Sequence, residues 1–230
     1  EEAVLENPAF YVPNDGSPYW LAIAARALIE AQDMTLSALP GGTLRLAEID
    51  QLSVSNGEDS RDVVAWALSG TDLDPTYFLM DGEAFFAIIT PRFAVIEAGY
   101  EAEDERLRNL SASYGAQRFG EIQTRVAHHY DAPIRIRNVR VFDSRNGTIG
   151  EPVSIVVEDD RIASIDPLDI ATAEGEVEID GDGGTLVPGL FEMHGHMGET
   201  SAFLNIAAGV TSVRDMGNNN EVLDELIDRI

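Results

Sequence analysis

The run Val187-Pro188-Gly189-Leu190-Phe191-Glu192-Met193-His194-Gly195-His196 decides how this chain reads. A turn at Gly181-Asp182-Gly183-Gly184 precedes it, and from Thr185 to Phe191 it is largely apolar. A continuous apolar stretch of this length predicts a strand buried on both faces. His194 and His196 stand two residues apart at its C-terminal end. Side chains at i and i+2 of a strand share a face, and Gly195 adds no bulk between them. Neutral imidazoles are good ligands for zinc and similar divalent ions. Two such ligands are not a hydrolytic site, which needs at least one more protein ligand and an open position for water. A bare His-x-His also occurs as ordinary core or surface residues, so its context carries weight.

Downstream, residues 201–208 are small and helix-compatible, and Gly209 stops them. Val210–Gly217 reads as a second buried strand, and Asn218–Asn220 as the cap of a helix over 221–230. Strand, helix, strand, helix is the start of a parallel α/β architecture. In a parallel barrel the C-terminal strand ends form the mouth, where active sites sit. Asp215 is the only carboxylate at the end of the second strand; a salt bridge or loop cap there outweighs a metal role. Glu192 shares the histidines' face by alternation but sits deeper, and Glu199 flanks them on the other side.

Upstream, Asp131-Ala132-Pro133 reads as a boundary. Ile134–Phe142 alternates apolar and polar residues, as a half-buried antiparallel strand does. Val153–Glu158, Arg161–Ile165 and Val177–Ile179 follow as short strands, which predicts a small β-sandwich or barrel-like sheet.

Residues 1–132 read as an accessory α+β region. Residues 1–17 are loop. Ser17-Pro18 opens a helix to about Gln32, with Ser17 as N-cap and Trp20, Ile23, Ala24, Ala27 and Leu28 on one face. Leu44–Ile49 and Val63–Leu68 suggest strands. Tyr77–Met80 and Ala84–Ile89, joined by Asp81-Gly82, read as a hairpin. From about Arg92 to Tyr130 the pattern is helical, with a break near Gly115. His128-His129 reads as solvated imidazoles at the helix end, because adjacent helical residues point about 100° apart and cannot easily share one ion.

On Val187–His196, on Ala207-Ala208-Gly209-Val210-Thr211-Ser212-Val213-Arg214-Asp215 and on Ile134–Ile165 with its Ile136–Asp143 opening, residues 133–230 resemble the amidohydrolase superfamily, in its imidazolonepropionase-like and prolidase-like branch. The resemblance implies a β-sandwich (133–184) flanking a TIM (β/α)8 barrel whose first two βα units are residues 185–230. It implies metal-dependent hydrolysis of a C–N bond in an amide, cyclic amide or dipeptide, with a divalent ion, above all zinc, one or two per complete protein. His194 and His196 would be metal ligands; the family gives Asp215 no metal role to carry over, and its position alone makes it a candidate supporting residue behind them. The general-base Asp of the family lies on the eighth strand, beyond Ile230. A barrel takes roughly 250 residues, and 45 follow Thr185. The chain therefore reads as an N-terminal fragment, expected alone to be inactive and to bind metal weakly. The competing reading is a non-enzymatic binding module in which the His pair is structural.

Composition sets the remaining limits. There are 41 Asp and Glu against 15 basic residues, every one Arg, for a net charge of −26. Such a surface repels nucleic-acid phosphates and anionic membranes. No run of 18 or more apolar residues predicts a membrane span. Without cysteine there are no disulfides, thiolate metal sites or Cys nucleophile. No signal peptide is visible, the compartment stays open, and so does homo-oligomerisation.

Overall fold

A computed structural model describes residues 9–14, 16–197 and 199–217, with Glu199 and Thr200 described by backbone alone. The helix expected over 221–230 and most of the N-terminal loop lie outside the described residues. The chain is mostly β, and it divides into two compact units, Glu1–Glu121 and Ile122–Ile230.

The first unit is a seven-stranded sheet with a helix on each face. Its strands are β1 (Ala9–Tyr11), β2 (Thr35–Leu39), β3 (Thr43–Ser55), β4 (Ser60–Ser69), β5 (Thr76–Asp81), β6 (Ala84–Ile89) and β7 (Ala94–Ile96), neighbouring one another in that order. β1 and β2 are parallel; every later pair is antiparallel. Successive residues of a strand face opposite sides, and the cores sort accordingly. Trp66, Leu68, Phe78 and Met80 pack with Leu21, Ala24, Ala25 and Leu28 of α1 (Trp20–Glu30). Val63, Ala65, Leu79 and Phe86 pack with Leu107, Leu110 and Tyr114 of α2 (Asp104–Val126). Coverage on both faces explains why Ala65–Leu68 are buried without interruption.

Four expectations change here. α1 starts at Trp20, with the Ser17 carbonyl accepting the Trp20 N–H at 3.0 Å, so Ser17 closes a turn before the helix and is not its side-chain cap. Ile23 is 49% exposed, and the buried face runs through Leu21, Ala22, Ala24, Ala25 and Leu28. Residues 92–100 are not helical: Ala94–Ile96 pairs with the edge of β6, which offers backbone partners a helix there would forgo, and a 3-10 turn at Glu101–Glu103 leads into α2. α2 then passes Gly115 unbroken, since a lone glycine costs a helix only about 1 kcal/mol.

The second unit is built on β8 (Ile134–Asp143). Its sheet also contains β9 (Thr148–Ile149), β10 (Val153–Glu158), β11 (Arg161–Pro167), β12 (Val177–Asp180) and β13 (Thr185–Leu186). These six strands form one connected sheet, where the sequence suggests a sandwich or barrel-like sheet. β10 lies antiparallel to β8, while β12 and β13 run parallel to it along its two halves. Asn138, at φ 52°, supplies a bulge between those halves: Val139 faces Val153 and Ile136 faces Ile155. The Gly181–Gly184 turn crosses at that bulge. The Gly181 and Gly183 N–H groups donate to the Arg137 and Asn138 carbonyls at 2.7 and 2.8 Å. A Cβ at Gly181 would run into the Val139 side chain.

β8 also departs from simple alternation. Arg135, on its polar side, is only 5% exposed. Its guanidinium makes two bonds to the Glu176 carboxylate (2.6 and 3.0 Å) and one to Asp166 (2.8 Å). These bonds hold both carboxyls below their ordinary pKa range and raise that of Arg135. Arg137 donates to Glu178, and to the Leu168 and Ile170 carbonyls. The polar face of β8 is thus covered by the 166–178 segment, which supplies the opposite charge that a buried Arg requires.

Candidate functional site

The apolar run is split: Thr185–Leu186 belongs to β13 and the β8 sheet, and the rest enters β14 (Leu190–Gly195), followed by α3 (Glu199–Ala207) and β15 (Val210–Asp215). β14 and β15 are parallel, so the three elements make one β-α-β unit. Eight strands are needed to close a TIM barrel; among the described residues these two form a sheet of their own. Nor is the run buried on both faces. Leu190 is 53% exposed, Phe191 71% and Met193 58%. A two-stranded sheet with one short helix cannot cover both of its faces.

Leu190 faces Val210, Glu192 faces Val213, and Gly195 faces Asp215. Between Glu192 and Gly195 the strand therefore carries one residue more than its partner, a bulge at Met193-His194. Bulges of this kind re-aim side chains next to active sites. Close approach of the strands needs Gly195: a Cβ there would stand 2.5 Å from Val213 Cγ1.

His194 lies inside β14 and His196 one residue beyond it, at the C-terminal end of the parallel pair. Both are exposed. Their ring centres are 5.5 Å apart, and the ring planes cross at 77°. The structure thus brings the two imidazoles together. Glu192 turns back on its own strand, where its Oε1 accepts the His194 N–H at 2.8 Å. Asp215 spans the two strand ends: Oδ2 accepts the Met197 N–H at 3.0 Å and Oδ1 the Gly217 N–H at 3.1 Å. The second bond is an Asx turn, legible in Asp215-Met216-Gly217. The first joins residues far apart in sequence and has no local signal. The bulge was likewise unreadable from alternation.

Among the described residues, no group of three or more His, Asp or Glu is placed to hold a metal ion. The Glu199 side chain lies outside them. His128 and His129 follow directly on the end of α2, whose last bond runs from the Ala127 N–H to the Gln123 carbonyl, and both are exposed; His128 stacks on Tyr130 with ring centres 6.4 Å apart. A cavity of about 360 Å³ in the second unit is lined by Tyr130–Ile134 and Val157–Asp159, and by neither His194 nor His196. No described helix is long and apolar enough to cross a membrane.

No family model and no curated protein matches the chain. Solved structures it resembles include proteins described as prolidases, a Xaa-Pro dipeptidase and an amidohydrolase. A prolidase-like protein of Bifidobacterium longum is 24% identical, with a TM-score of 0.37 over 44% of this chain and 27% of its own. A Xaa-Pro dipeptidase with methionine bound in its active site is 24% identical, with a TM-score of 0.34 over 43% of this chain and 30% of its own. A prolidase complexed with N-methylphosphonate-L-proline is 22% identical, with a TM-score of 0.31 over 37% and 26%. The chain spans less than a third of the length of each.

Proposed function

We propose that this chain contributes the first metal-binding strand of a metal-dependent amidohydrolase, one that hydrolyses the C–N bond of a small amide, cyclic amide or dipeptide. The meeting of His194 and His196 at the C-terminal end of β14 carries this reading. Two imidazole nitrogens on one tetrahedral ion, each at about 2.0–2.1 Å, put their ring centres about 5 Å apart. The 5.5 Å between these rings is close to that separation. Their nitrogen-only donor set suits zinc. On this reading the residues that complete the ligand set, and the carboxylate that serves as general base, are other than those described.

His194 and His196 would hold the ion, and zinc there would supply Lewis acidity toward a scissile carbonyl and toward the attacking water. The chain's own residues present and orient. His194 is carried on the bulge between the paired residues Glu192 and Gly195, with the Glu192 carboxylate accepting its N–H. Gly195 keeps β15 close enough for the two strand ends to act as one edge. Both rings open to solvent, where a substrate can reach them.

Zinc content and hydrolysis of a panel of dipeptides and cyclic amides test the proposal on the intact protein. His194→Ala and His196→Ala are each expected to lose bound zinc and turnover together. Stoichiometric zinc and full turnover in the double variant would overturn it.

A further inference from the structure

We infer that Asp215 is a positioning residue for His196: its carboxylate ties the end of β14 to the end of β15 and so holds the two imidazoles together. The inference deepens the metal-ligand reading above and rests on it.

His196 lies past the last residue of β14, where the ladder no longer holds it. Both peptide groups that flank it are nevertheless anchored to the neighbouring strand end. On one side, the Gly195 carbonyl accepts the Met216 N–H at 2.9 Å. On the other, the Met197 N–H donates to Asp215 Oδ2 at 3.0 Å. The second carboxylate oxygen accepts the Gly217 N–H at 3.1 Å, which orients the carboxylate against its own chain. A carboxylate accepting backbone N–H bonds is a charge-assisted contact, about twice as strong as a neutral one. Beside it, the peptide after His196 has a long bond from the Ser201 hydroxyl to the His196 carbonyl at 3.5 Å, so losing the carboxylate loosens the backbone that carries the ring.

The histidines are therefore fixed by different means. His194 sits in the bulge of β14, between the paired residues Glu192 and Gly195, with its N–H bonded to the Glu192 carboxylate. His196 sits on a tethered end, and the tether is a side chain. An alanine at position 215 removes both acceptors. An asparagine keeps the shape but one acceptor oxygen.

The test uses the intact protein with four variants, Asp215→Ala, Asp215→Asn, His196→Ala and, as a control, Val210→Ala at the far end of β15. Zinc affinity is measured by competition with a chelator. The nuclear Overhauser contact between the two rings is measured in metal-free protein. Asp215→Ala is expected to weaken zinc binding about 10- to 100-fold, the usual cost of removing a group that orients a ligand, and to abolish the ring-to-ring contact. Asp215→Asn falls between Asp215→Ala and the native protein. Val210→Ala lowers the melting temperature but leaves both readouts unchanged, which separates positioning from general stability. If His196→Ala abolishes zinc binding while Asp215→Ala stays within about twofold of native, the tether is wrong and the ligand reading stands. If His196→Ala leaves zinc affinity intact, the ligand reading fails; a ring-to-ring contact that survives Asp215→Ala then overturns the tether as well. Should Asp215→Ala not fold, Asp215→Asn is judged on the same two readouts, and native values in both overturn the proposal.

Discussion

The seven-stranded unit and the β14–α3–β15 segment divide stability and chemistry between them. The first fills both faces of its sheet: Phe78, Leu79, Phe86 and Leu107 are each at most 1% exposed. The second carries His194 and His196, yet among the described residues no buried apolar side chain lies beyond Val156. Packing order and chemical order run opposite ways along the chain. The best-packed region holds none of the metal-ligand candidates, and the region that holds them leaves Phe191 and Met193 in the open.

Matched truncations give the sharpest way to break this contrast. Phe78→Ala is expected to destabilise the first unit by about 3–5 kcal/mol in urea denaturation, from lost transfer energy plus a cavity. Phe191→Ala removes the same atoms and is expected to stay within about 0.5 kcal/mol. Equal losses would erase the distinction.

Arg135→Gln comes next. It strips the cation from between Asp166 and Glu176 and is expected to lower the melting temperature at neutral pH. The sign with pH follows from the depressed carboxyl pKa values. Such groups add stability that is present above their ordinary values of 3.8 and 4.5 and is lost as pH falls through the folded values. The gap between native and variant melting temperatures should therefore be widest above about pH 5 and close on acidification. A gap that widened in acid would refute the assignment.

Gly195→Ala is expected to cost about 1–3 kcal/mol, the usual range for overpacking, as Val213 gives way. Chemical shifts in β15 would record the displacement. Arg161→Ala closes the series. Its pair with Asp160 is more than 80% exposed on both sides, and no measurable change in melting temperature is expected.

Much of this architecture was legible where local chemistry and tertiary structure agree. The β5–β6 hairpin follows from its alternation and from Asp81-Gly82, and the positive φ of Gly82 (57°) is what that turn demands. The two histidines were legible as a pair because a period of two brings them to one side. Illegible features are those settled by distant partners. Ala94–Ile96 joins β6 and not α2 because an open sheet edge was waiting. Arg135 is buried because two carboxylates, 31 and 41 residues away, meet it. The exposure of Phe191 could not be read from composition, since apolarity records what a strand tolerates around it and not what surrounds it. The contact between Asp215 and Met197 escaped for the same reason: its two ends lie 18 residues apart.

One consequence of β8 concerns how this part of the chain tolerates change. A single strand templates β12 on its first half and β13 on its second, and the only slack between those two clients is the short glycine turn opposite Asn138. Extra residues within 181–184 can loop outward and leave both pairings intact. A deletion inside 134–141 shifts both clients at once, and with them the direction from which the chain sets out toward its histidines. Length variation is therefore tolerated at the glycine turn and penalised along the strand it crosses.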